Sequence, residues 1–145
     1  MSTTRLRSRA VILTEPRWPR GVARISGVVL LAGATANAIL TAVAPQTYAD
    51  LGPWMGGPEP LQQLWAATMG EHPRVWVPIV GVGYEAAVGL LALSRNRRRR
   101  LAGLVGIAAF DVGLLAMGLW LWAVPCLVVL VPVIVGTLRA PRQES

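Results

Sequence analysis

The fold is decided by residues 101–138, which read LAGLVGIAAFDVGLLAMGLWLWAVPCLVVLVPVIVGTL and carry one charged side chain, Asp111. As a single α-helix this stretch would be about 57 Å long, nearly twice the ~30 Å hydrocarbon core of a bilayer. It must therefore fold back on itself. We predict the turn around Trp120 to Pro125, because tryptophan favours the membrane interface and proline is tolerated at a helix start. Two antiparallel spans result, residues 101–119 and 123–138.

Two earlier apolar stretches supply the remaining spans. Residues 25–44 carry no charge, and residues 75–94 carry only Glu85. Twenty predominantly apolar residues are enough for one helical crossing of a bilayer. The predicted fold class is therefore all-α, a four-transmembrane-helix bundle over residues 25–138.

The composition excludes a soluble domain. Hydrophobic residues make up 54% of the 145, too large a share for a small protein whose surface would have to be largely polar. The net charge of +7 comes from arginines that lie before, between and after the apolar spans. Attraction to membrane lipids explains this distribution better than binding to nucleic acid, which we exclude as a partner. Cys126 is the single cysteine, and this excludes a disulfide framework.

The arginines also predict the orientation. Thirteen lie on one side of the predicted spans, in a basic arm (residues 1–24), a turn (residues 95–100) and a tail (residues 139–145), whereas Arg74 alone lies on the other side. Cytoplasmic segments of membrane proteins carry an excess of Lys and Arg, so both termini are predicted to be cytoplasmic. The predicted location is the plasma membrane of a bacterium (the cell inner membrane), with the first span retained as an anchor rather than cleaved as a signal peptide.

The long segment between the first two spans, residues 45–74, is predicted to be an outer loop. Prolines and glycines exclude a continuous helix in its first half. From Leu61 to Met69, apolar residues recur at helical spacing, which predicts a short helix on the membrane surface or a lid over the bundle. Trp65 on this helix either belongs to an aromatic belt, which is the favoured interpretation, or stacks on a ligand.

Two carboxyl groups lie at matching depth in the predicted membrane. Glu85 precedes Arg95 by ten residues and Asp111 follows Arg100 by eleven. An ionised carboxylate at mid-membrane costs at least ~2.5–3.5 kcal/mol, so two of them suggest a function. Gly81 and Gly89 share a helix face with Glu85, and Ala108 shares one with Asp111, so both acids are predicted to face the bundle interior.

The candidate site follows from these positions. If Glu85 and Asp111 are in contact, the pair shares a proton. The alternative is structural, with each carboxyl group hydrogen-bonded across helices. Asn37 and Thr41 share one face of the first span, and Tyr84 adjoins Glu85 but points about 100° away. The predicted ligand-binding residues are Glu85, Asp111, Asn37, Tyr84 and Trp65, with Glu85 and Asp111 as candidate catalytic residues.

No metal or cofactor is predicted. His72 is the only histidine, and it lies beside Glu71 in the outer loop, which is a very weak ligand set. The chain has neither a phosphate-binding glycine loop nor the motifs of zinc peptidases and serine hydrolases.

Two short motifs carry a resemblance to DoxX-like proteins, which are small four-helix bacterial membrane proteins. Residues 24–27 read RISG at the start of the first span, and residues 84–91 read YEAAVGLL in the second. The resemblance implies a bundle similar to sterol isomerases and sigma-2-receptor-type proteins, which hold a lipophilic ligand beside buried acids. Other DoxX-like proteins are accessory subunits of quinone-linked oxidoreductases. The long outer loop departs from both patterns.

Three hypotheses for function remain open. The favoured one is a bundle that binds or acts on a small lipophilic molecule, cationic or isoprenoid, in an intramembrane pocket with Glu85 and Asp111. The second is a proton-coupled small-molecule exporter, although such four-helix exporters carry their glutamate on the first helix, where this chain has only Asn37. The third is an accessory or assembly subunit of a larger membrane complex, and a homo-oligomer also remains open. The sequence does not decide whether the protein is an enzyme.

Overall fold

A computed structural model describes residues 17–139, and residues 1–16 of the predicted arm and 140–145 of the predicted tail lie outside them. The all-helical prediction is confirmed over this range, which contains no strand. Four long helices are joined by one long loop and two short turns. In chain order, the helices are α1 (Arg17–Val43), α2 (Thr47–Asp50), α3 (Glu59–Trp65), α4 (Pro73–Leu93), α5 (Arg97–Ala116) and α6 (Trp120–Arg139). The long helices are α1, α4, α5 and α6, and the short helices α2 and α3 lie in the long loop.

Three of the long helices, α1, α4 and α6, are long and apolar enough to cross a membrane. Their outward faces are more apolar than those of a soluble bundle, because large aliphatic side chains stand exposed on every long helix. This pattern is typical of a multi-pass membrane protein, whose surface meets lipid instead of water. The exposed residues include Ile25, Val28, Val43, Ile79, Leu90, Val105, Val112, Val128, Val131 and Leu138.

Neighbouring helices run antiparallel and approach most closely at small residues. A Cβ atom at Gly27 of α1 would come within 2.8 Å of the carbonyl oxygen of Gly89 on α4. A Cβ atom at Gly103 of α5 would collide with the backbone of Ala92 on α4. Side chains larger than glycine would force these helices apart, so the glycines determine how α1, α4 and α5 pack.

The core lies at the junction of α1, α4, α5 and α6. It is small, as expected for a bundle whose helices have no water to exclude inside the bilayer. The buried residues that form one cluster are Ala23, Val88, Ala92, Leu104, Ile107, Leu130 and Val133.

The long helices differ from the predicted spans at several ends, most of all at the start of α1. Helix α1 begins at Arg17 and runs through Pro19, because a proline in the first turn removes an N–H group that has no partner there anyway. The turn before α6 falls at residues 117–119, ahead of the predicted position. Gly118 adopts a φ of +87°, which other residues rarely adopt, and so ends α5 there.

The long loop between α1 and α4 folds onto the bundle. The predicted short helix is present as α3, which begins two residues earlier than expected and continues as a π-helical turn, Ala66–Gly70. Two loop glycines lie against the α5–α6 turn. A Cβ atom at Gly57 would come within 2.7 Å of the Ala116 carbonyl oxygen, and one at Gly118 within 2.5 Å of the Gly56 nitrogen. This contact holds the loop over one end of the bundle.

Candidate functional site

Glu85 lies inside the bundle, where its carboxyl group faces α1. It is 7% exposed, and a Cβ atom at Gly33 of α1 would come within 2.8 Å of its Oε2 atom. A π-helical turn, Pro78–Tyr84, immediately precedes it. Pro78 lacks the N–H group that a regular α-helix would use at that position, which accounts for a disturbed hydrogen-bond pattern there. The carboxyl group therefore fits against α1 only because residue 33 has no side chain.

Asn37 connects Glu85 to α1. Its side-chain nitrogen donates to Glu85 Oε2 and to the Gly81 carbonyl oxygen, both at 3.3 Å. An asparagine amide has two N–H groups, so these two bonds use both of them. No described residue donates a hydrogen bond to the other carboxyl oxygen of Glu85, Oε1. One carboxyl oxygen is thus fixed by the protein, and one remains to accept a donor.

The hydrogen-bond chain continues from Asn37 into the long loop between α1 and α4. The Tyr48 hydroxyl donates to the side-chain oxygen of Asn37 at 2.9 Å, and the Trp65 indole N–H donates to the Tyr48 carbonyl oxygen at 2.8 Å. Tyr48 is buried. The Thr41 hydroxyl donates to the backbone carbonyl of Asn37 at 2.7 Å. The folding of the loop and the position of the Glu85 carboxyl group are therefore coupled through Asn37.

Asp111 is separate from this chain of bonds. It is 4% exposed, and its Oδ2 atom is buried without a hydrogen-bond partner among the described residues. It lies close enough to Cys126 of α6 for the two groups to interact electrostatically. Because Glu85 faces α1 and Asp111 lies near α6, the structure shows no hydrogen bond between the two carboxyl groups.

The two acids nevertheless lie at similar depth along their helices. From the contact of Ala92 with Gly103, Glu85 is seven residues away on α4 and Asp111 is eight residues away on α5. At 1.5 Å per residue these separations are about 10 Å and 12 Å. The two carboxyl groups thus occupy one layer of the bundle but have different neighbours.

Tyr84 belongs to the α4–α5 contact and not to the Glu85 site. Its hydroxyl donates to the Gly106 carbonyl oxygen at 2.9 Å, and its ring stacks on Phe110 with the ring centres 5.9 Å apart. Adjacent positions on a helix point about 100° apart, which places Tyr84 against α5 while Glu85 faces α1. Of the five predicted ligand-binding residues, the structure thus joins Glu85, Asn37 and Trp65, and leaves Asp111 and Tyr84 apart from them.

Two residues of the site were not predicted. The sequence does indicate Gly33, because Gly33, Asn37 and Thr41 lie four residues apart and so share one face of α1. The sequence gives no indication of Tyr48, because its contact with Asn37 depends on how the loop folds back over α1. A loop conformation of that kind is not visible in helical periodicity.

Comparison of the chain with known proteins found no matching protein-family model, no matching curated protein and no matching solved structure. The resemblance to DoxX-like proteins is neither supported nor contradicted by this result and stays a prediction.

Proposed function

We propose that the chain is a multi-pass protein of the bacterial cytoplasmic membrane that binds a small lipophilic molecule, with Glu85 as the group that receives the ligand's polar or cationic head. In this proposal the bundle crosses the membrane four times, and both termini are cytoplasmic. The arginine-rich end faces the cytoplasm and the long loop faces outward, in agreement with the distribution of arginines.

The packing of α5 supports a fourth span. It lies between α4 and α6 and runs antiparallel to both, with Leu104 and Ile107 buried in the shared core. A helix that packs along two membrane-crossing neighbours has to occupy the same depth. From Leu101 to Ala116 its only charge is Asp111, which points inward, and the exposed Arg98 and Arg99 at its start can extend to the headgroups.

The observation that carries the ligand proposal is the half-satisfied carboxyl group of Glu85. Asn37 fixes Oε2, whereas Oε1 has no donor among the described residues. Oε1 is not among the fully buried side-chain atoms that lack a partner, so a donor from a ligand can reach it. The net contribution of such a hydrogen bond is about 0.5–1.5 kcal/mol. Ionisable groups inside membrane bundles are by default candidate functional groups.

Proton-coupled export receives less support from this geometry. The route from the loop to Glu85 passes through the Asn37 amide, whose nitrogen keeps its hydrogens and has no lone pair suited to accepting a proton. The bonds of Asn37 therefore position the carboxyl group well but form a poor proton path. An accessory role in a larger membrane complex, or as a homo-oligomer, has no comparable observation in its favour.

The test uses tetraphenylphosphonium, a lipophilic cation, as the probe. The full chain in detergent is heated with and without the probe, and the shift in melting temperature is measured. A ligand present at about 100 times its Kd stabilises the folded state by ~2.7 kcal/mol, which is readily detected. We expect a rise in Tm for the unmodified chain and its loss in Glu85→Gln.

Two further variants separate the contributions of the acids. Asp111→Asn reports whether the second buried acid takes part, and Glu71→Gln removes an exposed loop carboxylate as the matched control. A probe-dependent shift that persists in the double variant Glu85→Gln, Asp111→Asn would contradict the proposal. So would a shift lost equally in Glu71→Gln.

A further inference from the structure

A second feature of the bundle lies at the opposite end from the outer loop. A cavity of about 300 Å³ opens between the start of α1, the end of α4 and the start of α5. Four arginines from these three segments line it, together with Ala92, Leu93 and Ser94. The arginines are Arg20, Arg24, Arg95 and Arg100.

The arginines of this region have distinct environments. Arg97 caps α6, donating from Nε to the Thr137 carbonyl oxygen at 3.1 Å and from Nη2 to the Leu138 carbonyl oxygen at 3.2 Å. Arg98 and Arg99 are exposed and do not line the cavity. Arg100 lines it and is only 6% exposed. The cavity is therefore formed by particular arginines and is not a general property of a basic turn.

The chemistry of the lining specifies an anion. Guanidinium groups match the oxygens of phosphate with paired hydrogen bonds, and none of the described residues that line the cavity is acidic. The like charges of Arg24 and Arg95 repel each other across this space, and an anion between them relieves that repulsion. We propose that this cavity binds a phosphate group, with Arg24 and Arg95 as its main ligands.

The apolar part of the lining favours a phospholipid as the source of that phosphate. Ala92 and Leu93 stand at the point where the apolar stretch of α4 ends, so one cavity has both a hydrocarbon wall and a cationic wall. A glycerophospholipid has the same two parts side by side. A volume of about 300 Å³ is at the lower limit of small-ligand pockets, which suits a headgroup. This inference does not rest on the function proposed for Glu85.

The test measures bound phosphate compounds by native mass spectrometry of the full chain released from a non-ionic detergent. Separate samples receive phosphatidylglycerol, phosphatidylcholine or inorganic phosphate. We expect one retained phosphatidylglycerol and weaker retention of the zwitterionic lipid. The double variant Arg24→Gln, Arg95→Gln, at two exposed positions that should not disturb folding, is expected to weaken retention roughly tenfold.

The matched control removes the same charge from outside the cavity. Arg98→Gln, Arg99→Gln keeps the net charge equal to that of the cavity variant and should retain the lipid like the unmodified chain. Retention of inorganic phosphate with the same dependence on Arg24 and Arg95, and no preference for lipid, would support the site and assign free phosphate as its ligand. Equal loss in both double variants, or loss in neither, would overturn the proposal.

Discussion

Asn37 is the residue on which the candidate site depends, because its amide contacts Glu85, Gly81 and Tyr48 at once. We expect Asn37→Ala to destabilise the protein by roughly 1–3 kcal/mol, since it leaves the buried Glu85 carboxyl group without its donor and the Tyr48 hydroxyl with only the backbone carbonyl oxygen of residue 37, at 3.3 Å. A double-mutant cycle with Tyr48→Phe should give a coupling energy of about 0.6 kcal/mol or more, the average for hydrogen bonds in membrane bundles. Unfolding by a denaturing detergent provides the measurement.

Thr35 offers the control for that cycle. It is exposed on the same helix, and its hydroxyl donates to the Leu31 carbonyl oxygen within α1. Thr35→Val should change the free energy of unfolding by less than about 0.5 kcal/mol. A coupling energy near zero between positions 37 and 48 would show that the loop is not tied to the bundle through Asn37.

The side chains of the site were predictable only where helical spacing positions them. Glu85 lies inside the bundle, in agreement with the spacing of Gly81 and Gly89, and Asn37 carried the signal of an isolated amide in an apolar stretch. The burial of Asp111 agrees with its predicted interior position, but the neighbouring helix that it faces was not predictable. A shared depth follows from counting residues along two helices, whereas contact also depends on the rotation of each helix about its axis. That rotation is decided by packing, here by Gly33 and Gly103.

At the scale of helices, the contact between Gly27 and Gly89 determines how closely α1 and α4 approach. A methyl group at Gly27 would come within 2.8 Å of the Gly89 carbonyl oxygen and 2.9 Å of the Leu93 Cγ atom. Because backbone cannot yield as a flexible side chain does, we expect Gly27→Ala to destabilise the bundle by about 1–3 kcal/mol. The same detergent titration measures it.

Gly113 provides the opposite case on α5. A Cβ atom there would meet nothing within 4 Å, and the residue is exposed in the helix interior. Gly113→Ala should therefore stabilise the protein by roughly 0.5–1 kcal/mol through the lower backbone entropy of alanine in the unfolded chain. If both glycine substitutions change stability in the same direction and by the same amount, helix propensity and not the α1–α4 contact explains the effect.

The helices themselves followed from hydropathy, but several of their details did not. Ala109 and Gly113 are small residues four positions apart on α5, a spacing typical of close helix contacts, yet both face outward. The π-helical turn before Glu85 and the early start of α1 depend on which hydrogen bonds a proline removes, and sequence periodicity does not report them. The turn at Gly118 requires a positive φ. Glycine adopts positive and negative φ values about equally readily, so the presence of a glycine alone does not predict the turn.

Considered as a whole molecule, the bundle has a different chemistry at each end. One end holds a neutral hydrogen-bond chain from Trp65 through Tyr48 to Asn37, beneath a folded loop. The other end concentrates arginines around a cavity. Such asymmetry orients a protein in a membrane whose cytoplasmic leaflet carries anionic lipids. Two neutral or two basic ends would specify no orientation.

The number of spans and the orientation are tested by cysteine labelling, since Cys126 is the single cysteine of the chain. In a Cys126→Ser background, Gln63→Cys, Arg98→Cys and Trp120→Cys introduce thiols at exposed positions in the loop, at the start of α5 and at the start of α6. With four spans and cytoplasmic termini, a membrane-impermeant maleimide should label positions 63 and 120 in intact cells, and position 98 only after the membrane is opened. Were α5 not a span, positions 98 and 120 would lie on the same side and react together, so position 120 decides between three spans and four.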